Sequence, residues 1–417
     1  MNRHFLPAAG LLAASFLAGC SSAPKAIVSV TNPLPSERSG EMVEIPLSQL
    51  TQVRPGMNET YVVTDEAGIE VPSQVTHDSL LVFPVSVDGN ATADYWIKAG
   101  TPAGVPVTAC GRVYPERLDD LAWENDKAAY RAYGPALQAT GEKAYGYDVF
   151  TKSVPEPVVE QRYALETDQK AWAQINAWQR EGQKAKADSL RDAISYHTDH
   201  GNGMDCYSVG PTLGGGTAAL MPDSALVYPY CYAKCDVLDN GPLRFTARLT
   251  FHPLTVKGDT GVVETRLITL DKGSYLNRTE ISYTNLSADT PLAVGIVIHP
   301  QHRDGFAFNA ADGYIAYADS TDNASNGNGV MFLGAVTAAP FERAGVQWFG
   351  KDELPQRPGA LGHVLGISTY RPGSTFVYYW GSGWSKGDMP DMPAWETCLK
   401  DFALRLHAPL QVSITTK

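Results

Sequence analysis

The densest chemistry in this chain lies in one run, Tyr196-His197-Thr198-Asp199-His200-Gly201-Asn202-Gly203-Met204-Asp205-Cys206-Tyr207, followed by Gly210-Pro211 and Gly214-Gly215-Gly216. Histidine can take a proton as general base, tyrosine can give or take one, and glycine lets backbone approach a ligand closely. The run therefore predicts acid–base chemistry on a polar loop, with His197, His200, Asp205 and Tyr207 as the reacting groups. The competing reading is a polar turn whose histidines and aspartates bond only its own backbone. His197, Asp199, His200 and Asp205 are also competent metal ligands, but the three-residue offset of the histidines matches no helical ligand pair. No cofactor is expected, and a divalent metal is the alternative.

Three other segments could complete a site. The turn His299-Pro300-Gln301-His302-Arg303 follows an apolar run over 292–298, which predicts His299 and His302 at a sheet edge or cleft mouth. Between Trp123 and Pro135, periodicity does not separate strand from helix. As a strand, Trp123, Asn125, Lys127, Arg131 and Tyr133 share a face, an aromatic platform beside amide and guanidinium donors. Arg131 could then grip a carboxylate with two parallel bonds. Tyr378 to Asp388 reads as a strand entering a Gly/Ser loop, with Trp380, Trp384 and Lys386 lining a concave, sugar-stacking surface.

These residues need a scaffold, and the composition describes it. The chain has 417 residues, 44% hydrophobic and only 19% charged, with 38 Gly and 28 Pro, which suits strands and ordered loops and excludes global disorder. The formal net charge of −12, without any basic run, argues against nucleic acid as a partner. Strand patterns at 26–32, 42–48, 60–64, 79–87 and 95–98 predict a small immunoglobulin-like β domain over 26–105. Residues 111–417 predict a large antiparallel sandwich. Its strands fall at 244–251, 262–270, 276–284, 292–299 and 375–380, and 410–416 closes the sheet. Ala171, Trp172, Ile175 and Trp178 recur at helical spacing inside 167–191, with Thr167 or Asp168 as cap and Gly182 as interruption.

The first 19 residues carry Arg3, an apolar run and then Leu17-Ala18-Gly19-Cys20, the pattern of a bacterial lipoprotein signal. Cys20 is the expected lipidation site, 20–25 the tether, and the lipid anchor the only membrane contact. Ser21 and Ser22 after the cysteine, with no Asp, predict sorting to the outer membrane, facing the periplasm. The five remaining cysteines leave at least one unpaired, and Cys231 and Cys235 read as a local disulfide or as buried thiols.

The runs WENDKAAYRAYGPAL, GYDVFTKSVPEPVVEQRY and SYHTDHGNGMDCYSVGPTLGGG together resemble the bacterial family catalogued as domain of unknown function 4861, over most of the chain. That resemblance implies a branch of the galactose-mutarotase-like superfamily, an all-β fold built on a large antiparallel supersandwich. It also implies a setting beside genes for breakdown of pectin and other uronate glycans. Relatives in the superfamily include epimerases, lyase domains and glycosidase-associated domains, so the fold leaves the reaction open. A mutarotase pairs a His with a carboxylate; His197, His200 or His299 with Glu124 or Asp205 are the candidates, without residue-by-residue correspondence. The expected activity is that of a carbohydrate lyase on uronate oligosaccharides, with His197 or His200 as base, Tyr207 as acid and Arg131 with Asn125 neutralising the carboxylate. The alternatives are a non-catalytic glycan binder, a glycosidase and an epimerase.

Overall fold

The computed structural model describes residues 25–416 apart from 321 and 323, so the signal and Cys20 lie outside the described residues. Lys25–Thr31 alternates buried and half-buried positions along its whole length, as a strand with one face on a core must. It lies in a five-stranded sheet with Thr92–Gly100, Thr60–Thr64 and Glu70–Val71. A three-stranded sheet of Arg38–Pro46, Leu80–Val87 and Gln74–Val75 completes the small β unit. Val28, Val30, Ile45, Phe83 and Ile97 are buried in its core.

The other edge of Lys25–Thr31 is filled by the end of the chain. Gln411–Thr416 pairs with it antiparallel, from Ala26 opposite Thr416 to Thr31 opposite Gln411. The expectation that 410–416 closes the large sheet is corrected accordingly. Leu410 and Ile414 pack against the small core, and pairing covers backbone that an open edge would expose.

The large unit is a sandwich of antiparallel ladders. Its main sheet runs Tyr232–Asn240, Arg244–Phe251, Asp259–Asp271, Leu276–Thr284, Phe376–Trp384, Met331–Val336, Tyr314–Asp319 and Phe306–Asn309, with Leu254–Val256 paired to Asp259–Asp271. The opposing layer comprises two four-stranded sheets. One is Gly215–Leu220, Thr290–Ile298, Gly362–Tyr370 and Arg343–Trp348; the other is Asp148–Phe150, Ala129–Ala132, Asp120–Glu124 and Cys110–Tyr114. The chain is thus all-β in class, as its alternation predicts, with a helical excursion at 159–194 and a separate C-terminal helix, Met392–His407.

Between the layers lies an aromatic core, and it claims the proposed sugar platform. Trp380 is fully buried, stacks on Tyr147 at 4.0 Å and donates from Nε1 to Thr279 Oγ1 at 2.9 Å. Trp123 is fully buried too, and its Nε1 donates to Asn277 Oδ1 at 2.7 Å. Trp384 is 3% exposed and donates to the Asn328 carbonyl. A ring with no exposed face has none to offer a pyranose. The segment from Trp123 is neither one strand nor a helix but a hairpin. Asn125 makes its turn, accepting from Lys127 N and donating to the Asp271 and Ser274 carbonyls, so it too is structural. All five cysteines among the described residues are free thiols.

The excursion consists of Val159–Glu166, Gln169–Arg180 and Lys184–Ile194, the last two packed together through Ile175, Ala187 and Ile194. Asp168 caps the second helix, accepting from Lys170 N at 2.8 Å and Ala171 N at 3.2 Å. Asp168→Ala is expected to cost about 1 kcal/mol in urea unfolding, as loss of a side-chain cap does.

Candidate functional site

The site begins with a short ladder that places Arg131 opposite Asp148. The loop carrying the histidines is fastened to the same strand, with Phe150 bridged to Asp205 and Tyr147 to Gly214. Thr151 N donates to the Met204 carbonyl at 2.9 Å. Gly203 permits this approach: its φ is +97°, and a Cβ there would stand 2.2 Å from the Thr151 carbonyl oxygen. Gly203 thus lets the loop seat Asp205 beside the strand that carries Asp148.

Arg131 is 5% exposed and its guanidinium is already committed. Nε donates to Asp148 Oδ2 at 2.9 Å, Nη2 donates to Asp148 and to Asp205 Oδ2 (3.0 Å), and Asp120 lies 3.7 Å from Nη1. Tyr133 donates to the same Asp148 oxygen at 2.7 Å. The expected grip of Arg131 on a substrate carboxylate is therefore corrected: it is a buried counter-ion to the protein's own acids. Burial, and repulsion by the Asp148 carboxylate, push Asp205 up to about 7 against the pull of Arg131. Burial lifts Asp120 to about 6 against the pull of Arg131.

His197 stands at the surface of this buried group, with a side chain 58% exposed. Its Nδ1 lies 3.0 Å from the Asp205 carbonyl oxygen and 3.8 Å from Asp205 Oδ2. A carbonyl only accepts, so Nδ1 donates to it and Nε2 is the ring nitrogen left for other contacts. Tyr207 is 4% exposed, and its hydroxyl has no hydrogen-bond partner among the described residues. Its ring meets the edge of His299 at 5.6 Å. His299 Nδ1 bonds Asp319 Oδ2 at 2.6 Å. Burial disfavours the charged imidazole, but the hydrogen bond and charge of Asp319 outweigh it and raise the His299 pKa. Asp322 ties the two histidines to one region. Desolvation raises its pKa while both His299 and His197 pull it down, and its N–H donates to the Cys206 carbonyl.

The remaining candidates divide. His200 is exposed and, among the described residues, bonds the Ser195 carbonyl at 3.1 Å, which is the role of a turn residue. His302 turns Nδ1 to the Ala318 carbonyl at 2.5 Å. Lys386 is 42% exposed and reaches Asp199, whose other oxygen accepts from Gly201 N and Gly203 N, so it sits on the loop that carries His197. Glu124 is buried, held by Lys152 Nζ at 2.7 Å and by the N–H groups of Val158 and Val159, at the start of a helix. Asp148, Asp319 and Asp322 were not singled out from the sequence. Only the quoted GYDVF run contains one of them, and no spacing links them to His197. No three His, Cys, Asp or Glu side chains among the described residues are grouped to hold a metal ion.

The buried acids set a pH dependence. The native pKa of Asp205 stands above its unfolded value, so its contribution to stability is full below about pH 4 and lost as pH rises through about 7. The raised His299 acts in the same sense, above its unfolded value of about 6.5. In thermal melts between about pH 5 and 8, the difference between the protein and Asp205→Asn is expected to move steadily in favour of the variant. A constant difference would remove the buried-acid assignment.

Residues 30–412 match the family described as Domain of unknown function (DUF4861). A relative in Formosa agariphila, described as uncharacterized protein P7, is 25% identical over 433 residues, covering 99% of this chain and 100% of that protein. Among solved structures, an α-mannosidase from Enterococcus faecalis V583 overlaps 94% of this chain and 46% of its own, at 9% identity and a TM-score of 0.42. A protein in glycosyl hydrolase family 38 from Enterococcus faecalis gives 94%, 48%, 9% and 0.43. The chain thus spans about half the length of both. With the family match running over nearly its whole length, the chain belongs to the DUF4861 family.

Proposed function

We propose that the protein is a lipid-anchored enzyme of the bacterial envelope that acts on uronate-containing oligosaccharides, with β-elimination as its reaction. The observation that carries this reading is His197: an exposed imidazole whose Nδ1 is fixed on the Asp205 carbonyl, leaving Nε2 as a base. A base with access to solvent and a locked tautomer is what abstraction of the proton beside a sugar carboxylate requires. Behind it, the buried acids held by Arg131 fix the loop rather than touch the sugar. The neutralising role passes to Lys386, an exposed cation tethered to Asp199 two residues from His197. Tyr207 and His299, in edge contact, are the proton donors for the leaving oxygen.

Hydrolysis is the second reading, favoured by one observation. Asp205 at about 7 has the raised pKa a glycosidase acid needs, although it is only 2% exposed. Product analysis separates the two. β-Elimination leaves an unsaturated uronate that absorbs in the ultraviolet, and hydrolysis releases a reducing end without that chromophore. The lyase reading expects the chromophore from pectic or other uronate oligosaccharides. Binding without either product across the panel would instead mark a glycan-binding protein. The envelope location rests on the Leu17–Cys20 pattern and is tested by radiolabelled fatty acid incorporation, expected for the protein and absent in Cys20→Ala.

A further inference from the structure

One cleft in the molecule shares no lining residue with the His197 group. It encloses roughly 870 Å³ between three elements. Its floor is the outer face of the main sheet, with Thr246, Arg278 and Tyr379; one wall is the small β unit, and the other is the helix Met392–His407. That volume is in the range of cavities that hold small ligands.

The charges around it are matched in pairs. Arg244 donates to Asp271 at 2.6 and 2.8 Å and to Glu44 at 2.6 Å, across the boundary between the two units. Arg38 forks onto Glu41 and donates to the Ala408 carbonyl at 2.7 Å. Arg278 is paired with Glu280, and His77 with Asp239 at 2.8 Å. An anionic ligand would have to break one of these pairs and leave a carboxylate uncompensated, which is costly where the pair is buried. A neutral ligand with hydroxyls can instead add hydrogen bonds to groups already ionised. Half-buried aromatic surface completes the lining, with Tyr275, Tyr379 and Phe402, the last two in edge contact at 4.9 Å.

We infer that this cleft is a second carbohydrate site, for the uncharged stretches of an oligosaccharide, separate from the site that works on uronate. Sugar C–H faces pack on Tyr379 and Tyr275, and sugar hydroxyls bond the rims of the paired charges. Lys272, exposed at the edge, and Arg405, 4.0 Å from a Glu41 that Arg38 already holds, are the lining cations for which an anionic sugar competes.

Calorimetry of the full chain with neutral β-linked gluco-, galacto- and xylo-oligosaccharides tests this. At least one series is expected to bind saturably. Tyr379→Ala, which removes the platform, and Thr397→Trp, which fills the cleft from the exposed helix face, are each expected to weaken it about tenfold. His197→Ala leaves this binding unchanged, so loss of turnover there and loss of binding here are independent results. Cys398 lines the cleft as a free thiol and gives a second readout. At ten times Kd of sugar its alkylation is expected to slow by about tenfold, while that of Cys110, outside the cleft, stays constant. Three results would overturn the proposal: no saturable binding by any neutral series, binding that survives both substitutions, or preference of this cleft for uronate oligomers.

Discussion

Replacing Arg131 by Met is expected to destabilise the fold by about 3–5 kcal/mol in urea unfolding near neutral pH, the cost of removing one partner from a buried ion pair. The side chain holds Asp148 and Asp205 together at the point where the histidine loop meets the sheet, with Asp120 close behind. Without it, these carboxylates face one another in the same desolvated space. They can escape only by binding protons, so the deficit shrinks as pH falls. Asp148→Asn in the Arg131→Met background is expected to recover part of the loss, because the two positions share one interaction and their effects do not add. A deficit below about 1 kcal/mol would place Arg131 among ordinary surface charges and dissolve the scaffold proposed for the site.

The second large effect is kinetic. His197→Ala is expected to lower kcat on uronate oligosaccharides by about 10²–10⁴-fold, the usual contribution of a positioned general base. The same substitution should leave unfolding within about 0.5 kcal/mol, because the side chain is mostly exposed. His299→Gln tests the partner role differently. His299 is buried against Asp319 and Tyr207, so both stability and rate should fall, and the acid side of the pH–rate profile should move. A His197→Ala protein that turns over normally would show that the loop is a polar turn and nothing more.

Much of this architecture is legible in the residues. The alternation of Phe245, Ala247, Leu249 and Phe251 marks a strand with one face on a core, and Arg244–Phe251 is that strand. Asp168, Gly182 and the spacing of Trp172, Ile175 and Trp178 mark the helical excursion and its break. What is not legible is partnership. The last strand reads as β, yet which edge it joins is decided by the helix before it and by the open side of Lys25–Thr31. Trp380 reads as cleft wall or as core and Trp384, flanked by glycine, as pointing outward, yet both are buried, since alternation distinguishes faces but not what covers them. Arg131 reads as a grip for a substrate carboxylate, but the carboxylates it holds, Asp148 and Asp205, are the protein's own, from 17 and 74 residues away. His197 is marked in the sequence by local density alone. Asp319 and Asp322, which come from far along the chain, leave no local mark near it.

The most direct test of the central claim is a crystal structure of His197→Ala with a bound uronate trisaccharide. The account predicts a uronate C5 proton directed at the vacated imidazole, with C5 within about 3–3.5 Å of the position that Nε2 occupies, and the carboxylate toward Lys386. A trisaccharide bound with residue 197 beyond reach of every C5, or found only in the cleft beneath the C-terminal helix, would contradict it.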